Sequence, residues 1–212
     1  MHEVLPGIGS QEKDWPALEK KLELVKPFAK AVHVDIVDGK FAANTTFLDP
    51  KPFAKYSQDI FLELHMMVEE PEDYLEEWAK AGFRRFLGHI EKMSDQASFI
   101  AHAERLGEVG LAIDGATSLE AVKVDYQDLD TVLIMTINAG FAGQKFMPEK
   151  LDKVKKLVEV ADFVPIEVDG GVNDVTLLEG RKAGATRFVT TSYLFGASDP
   201  QVAYQTLLKV EE

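Results

Sequence analysis

Short apolar runs rich in β-branched residues recur along the chain, separated by segments whose apolar residues fall at helical spacing. Eight runs, at residues 4–8, 31–36, 60–66, 85–90, 110–113, 131–137, 164–169 and 187–191, predict strands. Segments such as 15–26, 71–81, 97–106 and 148–160 set charges opposite an apolar face and predict helices. Pro16, Pro71 and Pro148 fall near helix starts, where a missing N–H leaves no helical bond unmade. Strand alternating with helix in this way predicts an α/β barrel rather than a doubly wound open sheet. A faint repeat agrees: Lys80-Ala81-Gly82-Phe83-Arg84-Arg85-Phe86 returns as Lys182-Ala183-Gly184-Ala185-Thr186-Arg187-Phe188. Each copy reads as a helix end, a glycine cap and the next strand, a junction common in α/β proteins.

Composition narrows the function classes. The 212 residues are 46% hydrophobic and 28% charged, enough apolar material for one substantial core, and no linker interrupts residues 1–212, which predicts one domain. No run approaches the roughly 18–20 apolar residues of a membrane span. The opening Met1-His2-Glu3-Val4-Leu5-Pro6 lacks the basic-then-apolar pattern of a signal peptide, so a cytoplasmic location is expected. A formal net charge of −13 argues against nucleic acid and anionic membranes as partners. An anionic substrate would therefore be held by local backbone N–H groups and not by overall attraction. With no cysteine in the chain, any metal ion has to be held by histidine and carboxylate.

Such residues arrive together. His33 and Asp35 are one residue apart on a predicted strand, so period-two alternation puts them on one face. Val32, Val34 and Ile36 suit the helix layer, which turns His33 and Asp35 inward near the strand's C-terminal end, where barrel active sites lie. His65 ends the third strand and Asp169 the seventh. Taken singly, a strand-end histidine is usually a hydrogen-bonded rim residue, and a strand-end aspartate often caps the next helix. Two imidazoles and two carboxylates converging on one rim instead suit a single divalent ion, Zn, Fe, Mn or Co. His89 has no partner by spacing and reads as structural or as support behind the ligands, and His2 and His102 read as surface residues.

Loops of glycine and small residues follow the last three strands: Asn138-Ala139-Gly140-Phe141-Ala142-Gly143-Gln144-Lys145-Phe146, then Gly170-Gly171, then Thr190-Thr191-Ser192. Each alone is an ordinary turn. Together, after late strands, they predict a phosphate cradle of backbone N–H groups.

With these residues in view, the chain resembles the ribulose-phosphate 3-epimerases, collinearly from Val32 to about Phe195. The likeness rests on His33-Val34-Asp35-Ile36-Val37-Asp38-Gly39-Lys40-Phe41 and Leu64-His65-Met66-Met67-Val68-Glu69-Glu70-Pro71. It continues with 135–146 and with Glu167-Val168-Asp169-Gly170-Gly171-Val172. The resemblance implies a (βα)8 TIM barrel of the ribulose-phosphate-binding type that interconverts D-ribulose 5-phosphate and D-xylulose 5-phosphate in the pentose phosphate pathway. It implies His33, Asp35, His65 and Asp169 as metal ligands, with Asp35 and Asp169 as the two acid/base carboxylates working through a metal-stabilised enediolate. It places Gly7, His65, Gly140, Phe141, Ala142, Gly143, Gly170, Gly171, Thr191 and Ser192 at substrate or phosphate contacts. Relatives of this kind are often homo-oligomers.

The chain departs from the family pattern at the rim. Pro-Ser-Ile-Leu-Ser reads Pro6-Gly7-Ile8-Gly9-Ser10, so a serine that commonly contacts substrate is Gly7. A common methionine is Val37, Pro-Gly-Phe-Gly-Gly is Ala139-Gly140-Phe141-Ala142-Gly143, and the last Gly-Ser is Thr191-Ser192. These changes leave open 3-epimerisation of another ketose, a hexulose 6-phosphate or an unphosphorylated sugar, and a sugar-phosphate binder without activity. The Asp-x-Lys-x-x-Asp motif of related barrel decarboxylases and synthases fails here, because Val37 holds the lysine position.

Overall fold

The computed structural model describes residues 2–141 and 143–210. Eight strands close a barrel in sequence order, β1 (Glu3–Ile8), β2 (Ala31–Val37), β3 (Phe61–Met67), β4 (Arg85–His89), β5 (Glu108–Ile113), β6 (Thr131–Met135), β7 (Ile166–Asp169) and β8 (Arg187–Thr190). Every neighbouring pair is parallel, and β8 returns to β1 through Glu3–Arg187 to Pro6–Thr190. The predicted barrel is therefore the observed one, with strand ends shifted by a residue or two.

The helices are α1 (Trp15–Val25), α2 (Leu75–Lys80), α3 (Gln96–Ala103), α4 (Leu151–Val160), α5 (Asp174–Ala183), α6 (Ser192–Phe195) and α7 (Pro200–Leu208). Pro16 opens α1 as expected, whereas Pro71 and Pro148 open 3-10 turns that lead into α2 and α4. Two crossovers depart from strict alternation. Between β2 and β3 the chain makes only a 3-10 helix, Lys51–Tyr56, in a stretch where Pro50 and Pro52 withhold donors. Between β5 and β6 it makes two 3-10 turns, Leu119–Ala121 and Tyr126–Asp128. Ser118 and Asp125 each cap one of these, accepting from Glu120 N and Gln127 N, and β-branched Val122 and Val124 discourage continuation. Both halves of the repeat behave alike: Gly82 and Gly184 end α2 and α5 with left-handed φ of 100° and 111°.

Alternation sorts the strand residues into two layers. Val32, Val34, Ile36, Leu62, Leu64 and Met66 join the large apolar core between barrel and helices. The barrel interior holds a small apolar cluster of Leu87, Ala112, Leu133, Met135 and Ile137, and opposite it a dense group of buried ionisable side chains. Among the described residues no helix is long and apolar enough to cross a membrane.

Candidate active site

The inward residues of β2 and β3 build the floor of the site. His33, Asp35, Glu63 and His65 alternate with outward valines and leucines, so period two delivers all four to one side of the interior. The register places Asp35 beside His65. Asp169, the last residue of β7, reaches the same point across β1 and β8.

Ligand atoms of His33, Asp35, His65 and Asp169 all lie within 4.8 Å of one another. His65 Nδ1 is 2.8 Å from Asp35 Oδ1 and 3.9 Å from Asp169 Oδ2, and His33 Nε2 is 3.2 Å from Asp35 Oδ1. A first-row divalent ion with bonds of about 2.0–2.2 Å spans roughly 4.2 Å between opposed ligands, so this donor set is the right size and chemistry for one such ion.

The charges here are uneven. Burial alone would raise Asp35, but hydrogen bonds from His33 and His65 outweigh it and hold the carboxyl well below the usual carboxylate range. Burial, reinforced by the Asp35 charge, pushes Asp169 up to about 8. Two carboxylates at one site thus rest in opposite protonation states near neutrality. Burial lowers His65 to about 4, against the pull of Asp35. For His33 burial also lowers, yet the carboxyl groups of Asp35, Glu167 and Glu63 gathered around the ring win, and its pKa stands well above the ordinary value.

Beneath the cluster lies a supporting layer. His33 Nδ1–H donates to Glu63 Oε1 at 2.5 Å, which directs Nε2 toward the cluster. Glu63 Oε2 accepts from Arg85 Nη1 at 2.5 Å, and Arg85 Nε donates to Glu108 Oε2 at 2.6 Å. Against its burial, His33 and Arg85 together hold Glu63 at about 2. Glu167 Oε1 lies 3.2 Å from His33 Nδ1, yet neither Glu167 oxygen has a hydrogen-bond partner among the described residues. Burial and the Glu63 charge push it up to about 7, the neutral form being the one a buried, unpartnered carboxyl tolerates. On the other side, His65 Nε2 is 2.9 Å from His89 Nε2, and His89 Nδ1 is 2.9 Å from Glu91 Oε2. When His65 offers Nδ1 as a ligand, its proton sits on Nε2 and is donated to His89, whose own Nδ1–H goes to Glu91. His89 thus stands behind a candidate ligand, one of the two roles open to it from sequence.

Above the floor opens a cleft of about 430 Å³, lined by Asp35 and Asp169 with Ser10, Met67, Met135, Ile137, Gly140, Phe141, Gly143, Gly170, Gly171, Val172, Val189, Thr191 and Ser192. All three loops thus meet at one mouth. Gly170 and Gly171 have φ of 119° and 69°, conformations that side chains rarely adopt, and a Cβ on Gly171 would sit 2.8 Å from Phe146 N. Thr136 N donates to Asp169 O at 2.7 Å and Thr136 Oγ1 to Gly170 O at 2.6 Å, which ties this turn to the end of β6. Gly7 and His65, also expected at substrate contacts, do not line this cleft, His65 being fully buried beside Asp35. Ala142 lies outside the described residues.

Sequence reasoning passed over Glu63, Arg85, Glu167 and Glu91, and with them Ser10, Met67 and Met135. The signal for the two inner glutamates was present, since each precedes a ligand by two residues and so shares its face. Ser10 and the methionines carry no comparable mark.

Comparison with known proteins agrees with this geometry. The profile of the Ribulose-phosphate 3 epimerase family matches residues 6–195. Ribulose-phosphate 3-epimerase of Bacillus subtilis (strain 168) is 35% identical over 96% of this chain and 96% of its own. The enzyme of Chlamydia pneumoniae is 34% identical over 89% and 85%, and the cytoplasmic isoform of Oryza sativa subsp. japonica is 35% identical over 89% and 86%. Among solved structures, KGPDC from Streptococcus mutans superposes with a TM-score of 0.74 at 12% identity, over 100% and 99% of the chains. The 3-hexulose-6-phosphate synthase of Salmonella typhimurium gives 0.71 at 15%, over 99% and 98%. At such identities these two speak for the barrel alone. Fold, matched length and relatives place this chain in the ribulose-phosphate 3-epimerase family, and it is an isomerase.

Proposed function

We propose that the protein is a cytoplasmic, metal-dependent 3-epimerase that interconverts D-ribulose 5-phosphate and D-xylulose 5-phosphate. The observation that carries this reading is the convergence of two carboxyl groups, Asp35 and Asp169, on the floor of one cleft within one metal-sized cluster, where burial and neighbouring charge drive them toward opposite protonation states. Asp35 removes the proton from C3 of the ketose, and Asp169 returns one to the opposite face, so the centre inverts and the protonation pattern reverses. The return reaction uses the pair the other way round. His33, Asp35, His65 and Asp169 would hold one divalent ion, Zn, Fe, Mn or Co, which supplies Lewis-acid polarisation of the ketone worth several kcal/mol. Burial of the floor keeps water from quenching the carbanionic species between the two proton transfers. Backbone N–H groups of Gly140–Gly143, Gly170–Gly171 and Thr191–Ser192 cradle the phosphate, which reconciles an anionic ligand with a chain of net charge −13.

The test is to incubate metal-loaded protein with ribulose 5-phosphate in deuterium oxide. Xylulose 5-phosphate carrying deuterium at C3 is the expected product. The substitutions at Gly7 and Thr191 favour a second reading, 3-epimerisation of a hexulose 6-phosphate or a free ketose, and exchange confined to those sugars would select it. A binder without activity has no use for two opposed carboxylates, and binding of ribulose 5-phosphate with no exchange of any ketose would identify it.

A further inference from the structure

Gly7 and Thr191 occupy the same space from opposite sides. Gly7 follows Leu5 by two residues on β1 and pairs with His33, so a side chain at this position would enter the barrel mouth at the level of the cluster. A Cβ built there would meet Val189 Cγ1 at 2.8 Å and come closer still to Thr191 Oγ1, distances that real Cβ atoms do not show. A side chain at position 7 therefore needs both the Thr191 hydroxyl and the Val189 methyl to give way, the hydroxyl furthest. In this chain Val189 and Thr191 line the cleft with Asp35 and Asp169, and Gly7 does not. The hydroxyl has no local duty, since Thr191 precedes α6 without capping it. A second hydroxyl waits nearby, because Ser10 Oγ lines the same cleft, is buried, and has no hydrogen-bond partner among the described residues.

Building on the epimerase reading above, we propose that Thr191 is a specificity-determining residue whose side-chain hydroxyl hydrogen-bonds a hydroxyl group of the bound ketose. The contact comes from the β8 wall because glycine at position 7 has vacated the β1 wall. Ser10 Oγ supplies a companion contact from the end of β1. The ligand class is a polyhydroxylated ketose phosphate, and the contact is to the sugar and not to the phosphate, because position 7 lies level with the floor.

Four variants test the pair: Thr191→Val, Thr191→Ser, Gly7→Ser and Gly7→Ser combined with Thr191→Gly. KM, kcat and equilibrium binding are measured with ribulose 5-phosphate, binding with inorganic phosphate as the second probe, and thermal unfolding without ligand. Thr191→Val should raise KM and Kd for ribulose 5-phosphate about tenfold, the loss of one hydrogen bond, with inorganic phosphate unaffected. Thr191→Ser should stay within about threefold of the parent on the same grounds. Gly7→Ser alone should lower the unfolding temperature and impair binding, and the double variant should recover part of both, the contact with Val189 remaining. Parent-like sugar binding in Thr191→Val would overturn the contact, and an equal loss of inorganic phosphate binding would reassign it to the phosphate. A double variant no better than Gly7→Ser would overturn the steric pairing. If the parent neither binds nor turns over ribulose 5-phosphate, the epimerase reading fails and the sugar contact with it; the unfolding data still decide the Gly7–Thr191 pairing independently.

Discussion

The floor and the rim of the cleft are built on different principles. The floor is made of side chains on strands, each fixed by another side chain: His33 by Glu63, Glu63 by Arg85, His65 by Asp35 and His89. The rim is made of backbone, with Gly140, Gly143, Gly170 and Gly171 all at left-handed φ and Phe141 half exposed. Of the positions where the sequence departs from the pattern it resembles, Thr191 lies on the rim and Gly7 on the β1 wall level with the floor, while the four candidate ligands on the floor match that pattern. The difference teaches that reaction chemistry and ligand selection are separable here, one residing in buried ion pairs and the other in loop shape.

The sharpest division comes from removing a carboxyl on the floor. Asp35→Asn and Asp169→Asn should each lower kcat by about 10³-fold or more, the scale of lost acid/base catalysis, while the barrel still folds. Circular dichroism and steady-state turnover read both; substantial activity in Asp169→Asn removes that residue from the proton transfer.

Proton linkage gives the next largest effect. In metal-free protein near neutrality His33 carries a proton on each ring nitrogen, and an ion bound at Nε2 must displace one, whereas Asp35 is ionised, His65 neutral, and Asp169 keeps the proton that it returns to C3. Metal affinity should therefore rise with pH by about tenfold per unit, one proton per ion, and flatten only where His33 gives up its second proton in the metal-free protein. A competition titration with a chelating dye measures the slope, and a flat profile contradicts the assigned protonation states.

Glu63→Gln replaces the acceptor that orients His33. It should weaken metal binding about 10–100-fold, with the KM for substrate changed far less. At the rim the pattern should invert. Gly171→Ala meets both an unfavourable φ of 69° and the Phe146 backbone, so KM should rise roughly tenfold with metal affinity unchanged. A loss of metal in Gly171→Ala would show that floor and rim are one mechanical unit after all.

The same division explains what was readable in the chain. Strand alternating with helix predicted the barrel whose eight strands are observed, and period-two alternation put His33 and Asp35 on one inward face. The latter equally marked Glu63 and Glu167, two residues before His65 and Asp169, but a lone buried glutamate has no conspicuous motif. Arg85 opens β4, and only the register that sets it beside Glu63 and Glu108 reveals its use. At the rim, glycine content showed where loops come together, whereas the exclusion between Gly7 and Thr191 depends on β8 returning to β1 and is invisible until the barrel closes. Missing helices in two crossovers escaped because alternation of strand and helix says little about which helical turns stop after three residues.

The central claim is that proton transfer at C3 depends on the His33–Asp35–His65–Asp169 cluster holding one divalent ion. The direct measurement strips the protein with a chelator, restores ion in steps, and follows solvent deuterium entering C3 of ribulose 5-phosphate at each occupancy. Exchange should be lost in the stripped protein and rise linearly to a plateau at one ion per chain. Exchange that persists undiminished after stripping, or that stays absent at full occupancy, contradicts the claim.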